Sequence, residues 1–369
     1  MAAQELVKLT DAGLYCEAGD FYIDPWRPVG RAIITHAHSD HARPGNTHYL
    51  AAEPGIKLLE TRLEPGSSIQ TVPYGEQLTV KGVKVSLHSA GHVLGSAQVR
   101  IEKDGEIWVI SGDYKIEPDA TCAPFELVRC HTFITESTFG LPIFRWRPQE
   151  EIFDEINNWW RGNKEAGKAS VLFGYALGKA QRILSGVDAE IGPIYTHGAV
   201  ERLNAAYRAS GVDLPDTTYA ATMPRGTKYS GSLIVAPPSA QATPWMRTFG
   251  TVSTAFASGW MRIRGTRRAK AIDRGFVLSD HADWAALNHV IRETGADHVI
   301  VTHGYAAEMV RWLNEKGIRA SSFSTEFEGE REELQPARTE SDTNEDETDS
   351  PESTPAESKQ ESNIVERFL

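Results

Sequence analysis

Thr35-His36-Ala37-His38-Ser39-Asp40-His41 follows the apolar run Ala32-Ile33-Ile34 and sets four metal-capable side chains within six residues. A strand feeding a tight loop puts His36 and His38 on one side of its end, because side chains alternate with period two. Asp40 and His41 then turn back from the loop, so one ion can take the first pair and a second ion the other. Imidazole with carboxylate suits Zn²⁺, Mn²⁺ or Fe, and the donor types exclude a closed four-cysteine structural site.

Other apolar runs end in the same kind of residue. Lys81-Gly82-Val83-Lys84-Val85-Ser86-Leu87 alternates as a strand, and Ser89-Ala90-Gly91-His92-Val93-Leu94-Gly95 then sets a histidine between glycines. Ile107-Trp108-Val109-Ile110 leads to Asp113, and Thr132-Phe133-Ile134-Thr135 leads to Glu136. With the first cluster, His92 and Asp113 complete two sites, Asp113 bridging. Asp24, after Phe21-Tyr22-Ile23, either caps a turn before Pro25 or orients a ligand histidine. Catalytic groups on loops at one end of many strands are a common way to build an α/β enzyme.

The middle of the chain reads differently. Residues 148–164 predict a helix with Pro148 at its start and Ile152, Ile156, Trp159 and Trp160 on one face. Ala169-Ser170-Val171-Leu172-Phe173 predicts a strand, and Gly174 to Gln181 a turn opening a helix, the unit of a parallel sheet. Histidines after strands return in Phe276-Val277-Leu278-Ser279-Asp280-His281 and His298-Val299-Ile300-Val301-Thr302-His303-Gly304. Thr-His-Gly occurs at 196–198 and at 302–304, and spacing leaves open which late histidine joins the site. The pattern implies a catalytic domain in two parts, 1–144 and 271–325, with a second domain at 145–270 and a tail at 326–369.

Composition, 40% hydrophobic and 24% charged, is that of a soluble protein, and no run approaches the ~20 apolar residues of a membrane span. The N-terminus carries no basic-then-apolar signal pattern. Cys16, Cys122 and Cys130 are odd in number without C-x-x-C spacing, which points to buried filler residues and a reducing cytoplasm. The net charge of −12 sits mostly in the tail, with 15 acidic and 4 basic residues from Glu326 to Leu369. Such a tail is expected to be disordered, serving solubility or competing with nucleic acid for a basic groove. Its last residues, Ile364 to Leu369, are apolar enough to dock as a short peptide. Trp260-Met261-Arg262-Ile263-Arg264-Gly265-Thr266-Arg267-Arg268-Ala269-Lys270 carries five positive charges, suited to phosphate contact and base stacking, or else a solvated loop.

His36-x-His38-x-Asp40-His41, Gly91-His92 and Asp113 resemble the metallo-β-lactamase superfamily. Glu136 in Thr-Glu-Ser-Thr, His281 in Ser-Asp-His-Ala-Asp and His303 in Val-Thr-His-Gly resemble the three extra motifs of its β-CASP nucleases, and Ala176 to Gln181 is similar to the first helix of the β-CASP cassette. Gly-Leu-Tyr-Cys at 13–16, Phe-Tyr-Ile-Asp-Pro-Trp-Arg-Pro at 21–28 and Phe-Ala-Ser-Gly-Trp-Met-Arg-Ile-Arg-Gly at 256–265 are similar to the bacterial ligase-associated DNA exonucleases. The resemblance covers about 1–325. It implies an α/β metallo-β-lactamase αββα sandwich with an inserted β-CASP domain. His36, His38, His92 and Asp113 would hold one Zn²⁺, and Asp40, His41, Asp113 and His303 another, Mn²⁺ being an alternative. Asp40 would orient the nucleophile, and His281 paired with Glu136 would protonate the leaving oxygen. Lys179 with Arg262, Arg264, Arg267 and Arg268 would contact nucleic acid. The implied partners are single-stranded DNA or duplex ends, RNA as an alternative substrate, and an ATP-dependent DNA ligase. Histidine at the 303 position is typical of RNA-processing members. Other readings are a binding protein with a vestigial site, which the intact ligand set opposes, and a small-molecule hydrolase, which would not need the insert.

Overall fold

Alternation decides which face of each strand is buried, and three apolar layers result. The computed structural model describes residues 5–269, 271–327 and Phe368. The first sheet runs in sequence order through β1 (Lys8–Thr10), β2 (Gly13–Cys16), β3 (Phe21–Ile23), β4 (Arg31–Ile33), β5 (His48–Ala52) and β6 (Ser68–Val72), with helix α1 (Ile56–Arg62) between the last two. Ile33 and Leu50 face inward toward the second sheet, while Ala32, Tyr49 and Ala51 face outward onto Leu58 and Leu59 of α1.

The second sheet holds β7 (Gln77–Val80), β8 (Val83–Ser89), β9 (Ala97–Lys103), β10 (Glu106–Ile110) and β11 (Thr132–Ser137), and later β18 (His298–Gly304) and β19 (Ala320–Ser322), in the order β19-β18-β11-β10-β9-β8-β7. Trp108, Ile110, Ile134 and Ile300 meet the first sheet, and Val109, Phe133, Val299 and Val301 meet α6 (Trp284–Glu293) and α7 (Ala306–Glu315). The body is therefore layered helix, sheet, sheet, helix. The expected strand at 81–87 begins instead at Val83. Lys81 and Gly82 take positive φ (47° and 81°) and form the tight turn joining β7 to β8, where Val80 pairs with Val83.

A third sheet lies between β11 and β18 in sequence. It contains β12 (Ala169–Phe173), β13 (Ile194–Thr196), β14 (Thr218–Tyr219), β15 (Leu233–Ala236), β16 (Val252–Ala257) and β17 (Arg274–Phe276), all parallel, in the order β14-β13-β15-β12-β16-β17. Helices α2 (Gln149–Glu165), α3 (Lys179–Gly186) and α4 (Gly198–Ala209) cover one face, burying Ile152, Ile156 and Trp160 of α2 as its periodicity requires. The short α5 (Arg264–Ala269) precedes β17. Because Ala257 pairs with Phe276, this sheet reaches past the expected boundary at 270, and the chain leaves it only there to bring Ser279-Asp280-His281 toward the first two sheets as irregular backbone.

The tail does not begin cleanly at 326. Glu326 is held by Arg43, whose Nη2 donates to its carbonyl at 3.3 Å, and Phe327 packs on Trp26. Phe368 is buried among the apolar residues between the first two sheets, and the other residues of the expected docking peptide, 364–367 and 369, lie outside those described. The remaining residues of the acidic segment lie outside those described. Among the described residues, no helix is long and apolar enough to cross a membrane.

Candidate metal centre

Strand register gathers the site. Ile110 of β10 pairs with Ile134 of β11, and Ile134 with Ile300 of β18, so Asp113, Glu136 and His303 emerge side by side at one end of the second sheet. The loops after β4 and β8 bring His36, His38, His41 and His92 over them. Ligand atoms of His36, His38, His92 and Asp113 all lie within 4.8 Å of one another. Of the two Thr-His-Gly histidines, His303 is the one brought to the cluster, its Nε2 3.0 Å from Asp113 Oδ1, whereas His197 caps α4 by accepting from Ala199 N.

Each histidine is held from behind by a group that fixes its tautomer. His92 Nδ1 donates to the Asp280 carbonyl at 2.8 Å, and His38 Nε2 donates to the Leu177 carbonyl at 3.2 Å, since a carbonyl can only accept. That leaves a lone pair on His92 Nε2 and another on His38 Nδ1, and these two nitrogens face each other at 3.2 Å. Two acceptors so close repel unless a cation lies between them. Protonation is a poor alternative, because burial lowers the pKa of both rings. His36 is similar: burial lowers its pKa, and its Nε2, 3.5 Å from Asp113 Oδ2, is buried without a hydrogen bond among the described residues. The donor set and its orphaned nitrogens fit a divalent metal ion.

The second expected set is looser. His41 Nε2, also buried without a hydrogen bond, lies 3.7 Å from Asp40 Oδ2 and 3.8 Å from Asp113 Oδ2. Burial opposes a charge on His41, yet Asp40, Asp113 and Asp24 outweigh it and raise its pKa to about 10. A site that holds so much negative charge around one imidazole suits a cation in the proton's place. Asp24, expected either to cap a turn or to orient a ligand histidine, lies against the His41 ring. Its Oδ2 accepts from His41 Nδ1 at 2.7 Å, its carboxylate also binds Thr35 N and Oγ1, and its backbone is held at a strained φ of 44°. Thr35 Oγ1 in turn lies 3.0 Å from His36 Nδ1, and Thr302 Oγ1 2.9 Å from His303 Nδ1.

Glu136 and His281 pair beside the cluster and share Asp113 with it, ligand atoms of the three lying within 4.8 Å of one another. His281 Nδ1 lies 3.1 and 3.0 Å from the two Glu136 oxygens, and Tyr114 N donates to the same carboxylate at 2.8 Å. The His281 ring sits 4.6 Å from that of His92, centroid to centroid.

Several functional neighbours were not foreseen. Phe327 stacks on His41, with centroids 4.5 Å apart and planes at 15°, and meets His303 edge-on. The carbonyls of Leu177 and Asp280 were also missed. The Thr-His pairs at 35–36 and 302–303 were the available signal for the hydroxyls, whereas a lone phenylalanine in an acidic segment gave none.

Two nucleic-acid expectations are corrected. Lys179 is fully buried, its ammonium 3.0 Å from Asp280 Oδ2 and donating to the Leu278 carbonyl, so it cannot face a substrate. Trp260 is buried against Phe139 and Phe144 and cannot stack on a base. Arg262, Arg264 and Arg268 are exposed, while the Arg267 side chain and Lys270 lie outside the described residues. Arg262 joins Arg147 and Arg274 around an open cavity of about 430 Å³ that also contains Glu155 and Asp273.

No family model matches the chain. Over 314 residues it is 29% identical to a protein named probable DNA ligase from Opitutus terrae, covering 84% of this chain and 30% of that one. Over 168 residues it is 29% identical to endoribonuclease ysh-1 of Neurospora crassa, covering 42% of this chain and 19% of that one. The chain thus spans under a third of the length of either relative. Among solved structures, a protein of unknown function from Enterococcus faecalis superposes with a TM-score of 0.55 at 11% identity, covering 80% of this chain and 79% of the other, which supports the α/β fold alone.

Proposed function

We propose that this chain, which its relatives indicate is a member of the metallo-β-lactamase β-CASP nuclease family, hydrolyses phosphodiester bonds of nucleic acid with the help of two metal ions. In this reading 145–270 is the β-CASP insert, extended to Phe276 by β17, within a metallo-β-lactamase domain formed by 1–144 and the chain up to 325. The observation that carries the proposal is the pair of lone-pair nitrogens on His38 and His92 facing each other at 3.2 Å. His36, His38, His92 and Asp113 would hold one ion, and Asp40, His41, Asp113 and His303 the other, with Zn²⁺ or Mn²⁺ as the metal. When bound, such ions make water a nucleophile near neutral pH and neutralise phosphate charge.

The chain's own residues supply the rest. Asp40, 3.7 Å from His41 Nε2, would orient a water by accepting its hydrogen. Glu136 accepts a hydrogen bond from Nδ1–H of His281, so a protonated His281 would give its Nε2 proton to the leaving oxygen and end as a neutral ring still bound to Glu136 through Nδ1–H. Arg262, Arg264, Arg267 and Arg268 would follow the phosphate backbone.

DNA is the substrate we favour, with exonucleolytic action in repair beside an ATP-dependent DNA ligase. The motifs at 13–16, 21–28 and 256–265 and the likeness to a protein named probable DNA ligase support it. His303, together with the relative named endoribonuclease, favours RNA as the second reading. End-labelled single-stranded DNA and RNA of matched sequence, incubated with Zn²⁺- or Mn²⁺-loaded protein, separate the two, with an Asp40→Ala/His41→Ala double variant as control. A ladder on DNA that the variant lacks is expected. Cleavage of RNA alone would replace the DNA reading, and no cleavage of either would remove the nuclease reading.

A further inference from the structure

The helix α3 and the turn before it belong to the third sheet's layer, yet they reach the back of two metal-site histidines. The Leu177 carbonyl accepts from His38 directly. The second connection is one step longer. Lys179 Nζ donates to the Leu278 carbonyl at 2.9 Å and lies 3.0 Å from Asp280 Oδ2, while Arg182 donates to the Ser279 carbonyl at 3.1 Å and sets its Nε 3.0 Å from Asp280 Oδ1. Two cations therefore clamp three consecutive residues, 278–280, by two carbonyls and a carboxylate. The remaining carbonyl, that of Asp280, is the one that accepts from His92. Arg182 is anchored on its other side by Asp119 at 2.6 Å. All four of these charged side chains are at most 3% exposed, so no water competes for their geometry. Burial disfavours charge on Asp280, but Lys179 and Arg182 outweigh it and keep the carboxyl well below the usual range.

We propose that Lys179 and Arg182 are positioning residues for the metal ion held by His36, His38, His92 and Asp113: by clamping 278–280 they fix the carbonyl that aims His92, while the adjoining turn aims His38. The proposal rests on the metal-binding reading above. It makes the third-sheet layer part of the metal site's construction, in addition to any role as a cover. It also explains why two costly buried cations point into the body instead of toward a phosphate chain. Groups that orient a ligand histidine typically change metal affinity 10- to 100-fold when removed.

The test is metal titration of the full chain, wild type beside Lys179→Met, Arg182→Met and Arg182→Lys. Affinities are read by chelator competition, and the two sites are distinguished by the visible absorption of bound Co²⁺. The methionine variants are expected to lose 10- to 100-fold in affinity at one site, with that site's Co²⁺ bands altered and the other site intact. Arg182→Lys keeps the charge but cannot span Asp119, Asp280 and Ser279 together, so an intermediate loss is expected. Near-UV circular dichroism reports whether each variant folds, and if the methionine variants do not, Arg182→Lys decides. Folded variants that bind both ions with wild-type affinity and spectra overturn the proposal, as does an equal loss at both sites, which would mean a general loosening. A wild-type chain that binds no metal overturns the metal-site reading itself, an outcome distinct from the first.

Discussion

Replacing Gly304 by alanine tests whether the β18–β11 junction holds His303 in place. Gly304 has φ +84°, and a Cβ there would lie 2.1 Å from Ser137 O, 2.2 Å from Ser137 C and 2.4 Å from Thr138 N. These are backbone atoms of the neighbouring strand, so relief requires the strands to part. The left-handed conformation costs an alanine roughly 1–2 kcal/mol. Forcing extra volume into a packed position adds about 1–3 kcal/mol. The sum, on the order of 2–5 kcal/mol, is a large share of the ~5–15 kcal/mol that stabilises a typical domain. At about 2–4 °C per kcal/mol, melting should fall by roughly 4–20 °C. Gly66→Ala is the matched control, since Gly66 has φ +85° but nothing within 4 Å of its Cβ. That variant should pay only the conformational part, about 1–2 kcal/mol. Thermal melts followed by circular dichroism compare the two, and metal analysis of the dialysed proteins reads the site. Because Ser137 Oγ donates to the His303 carbonyl at 2.6 Å, parting the strands should move His303 off Asp113 and reduce the metal content. Equal melting temperatures and metal content for Gly304→Ala and Gly66→Ala would refute the reasoning.

Other perturbations follow from neighbouring contacts. Asp24→Asn should leave the fold intact but weaken metal affinity about 10- to 100-fold, because the amide cannot hold both Thr35 and the His41 ring as a carboxylate does; unchanged affinity in a chelator competition would count against the orienting role. Phe327→Ala should lower stability by roughly 1 kcal/mol through loss of its stacking on His41; a urea midpoint identical to wild type would show that the stack contributes nothing. Burial pushes the Cys130 thiol up to about 12, so at pH 8 roughly one molecule in 10⁴ carries the thiolate, and alkylation should be slow in the native state and rise tenfold per pH unit. Stoichiometric labelling of native Cys130 within minutes at pH 8 would contradict its burial.

The elements that carry the candidate ligands were largely legible because their signals are local. Ile107–Ile110 and Thr132–Thr135 read as strands and are strands, and the face of α2 was read residue by residue. What stayed hidden depends on partners far along the chain. Spacing does not separate His303 from His197, although His303 follows the cleaner buried strand; the pairing of β18 with β11 brings it to Asp113. Lys179 sits in a helix-opening motif that looks solvent-facing until Asp280, about a hundred residues on, is brought against it. The strand expected to end at His281 stops at Phe276, because an apolar run says that a segment is buried without saying whether a ladder continues. Phe327 was obscured by the charge of its surroundings, since averaging over an acidic segment hides a single aromatic that packs.

The threading of the second sheet has a consequence for biosynthesis. β10 and β11 leave the ribosome before the third sheet, and β18, the immediate neighbour of β11, only after it. His36, His38, His92 and Asp113 are therefore synthesised early, while the carbonyl that aims His92 arrives more than 160 residues after Asp113, and His303 later still. A nascent chain paused between the two sheets would carry exposed, poorly aimed imidazoles, and metal loading would wait until β18 had been made. Pulse-labelled chains arrested at residue 144 and at residue 325 would differ in Zn²⁺ capture even though the first four ligands are common to both.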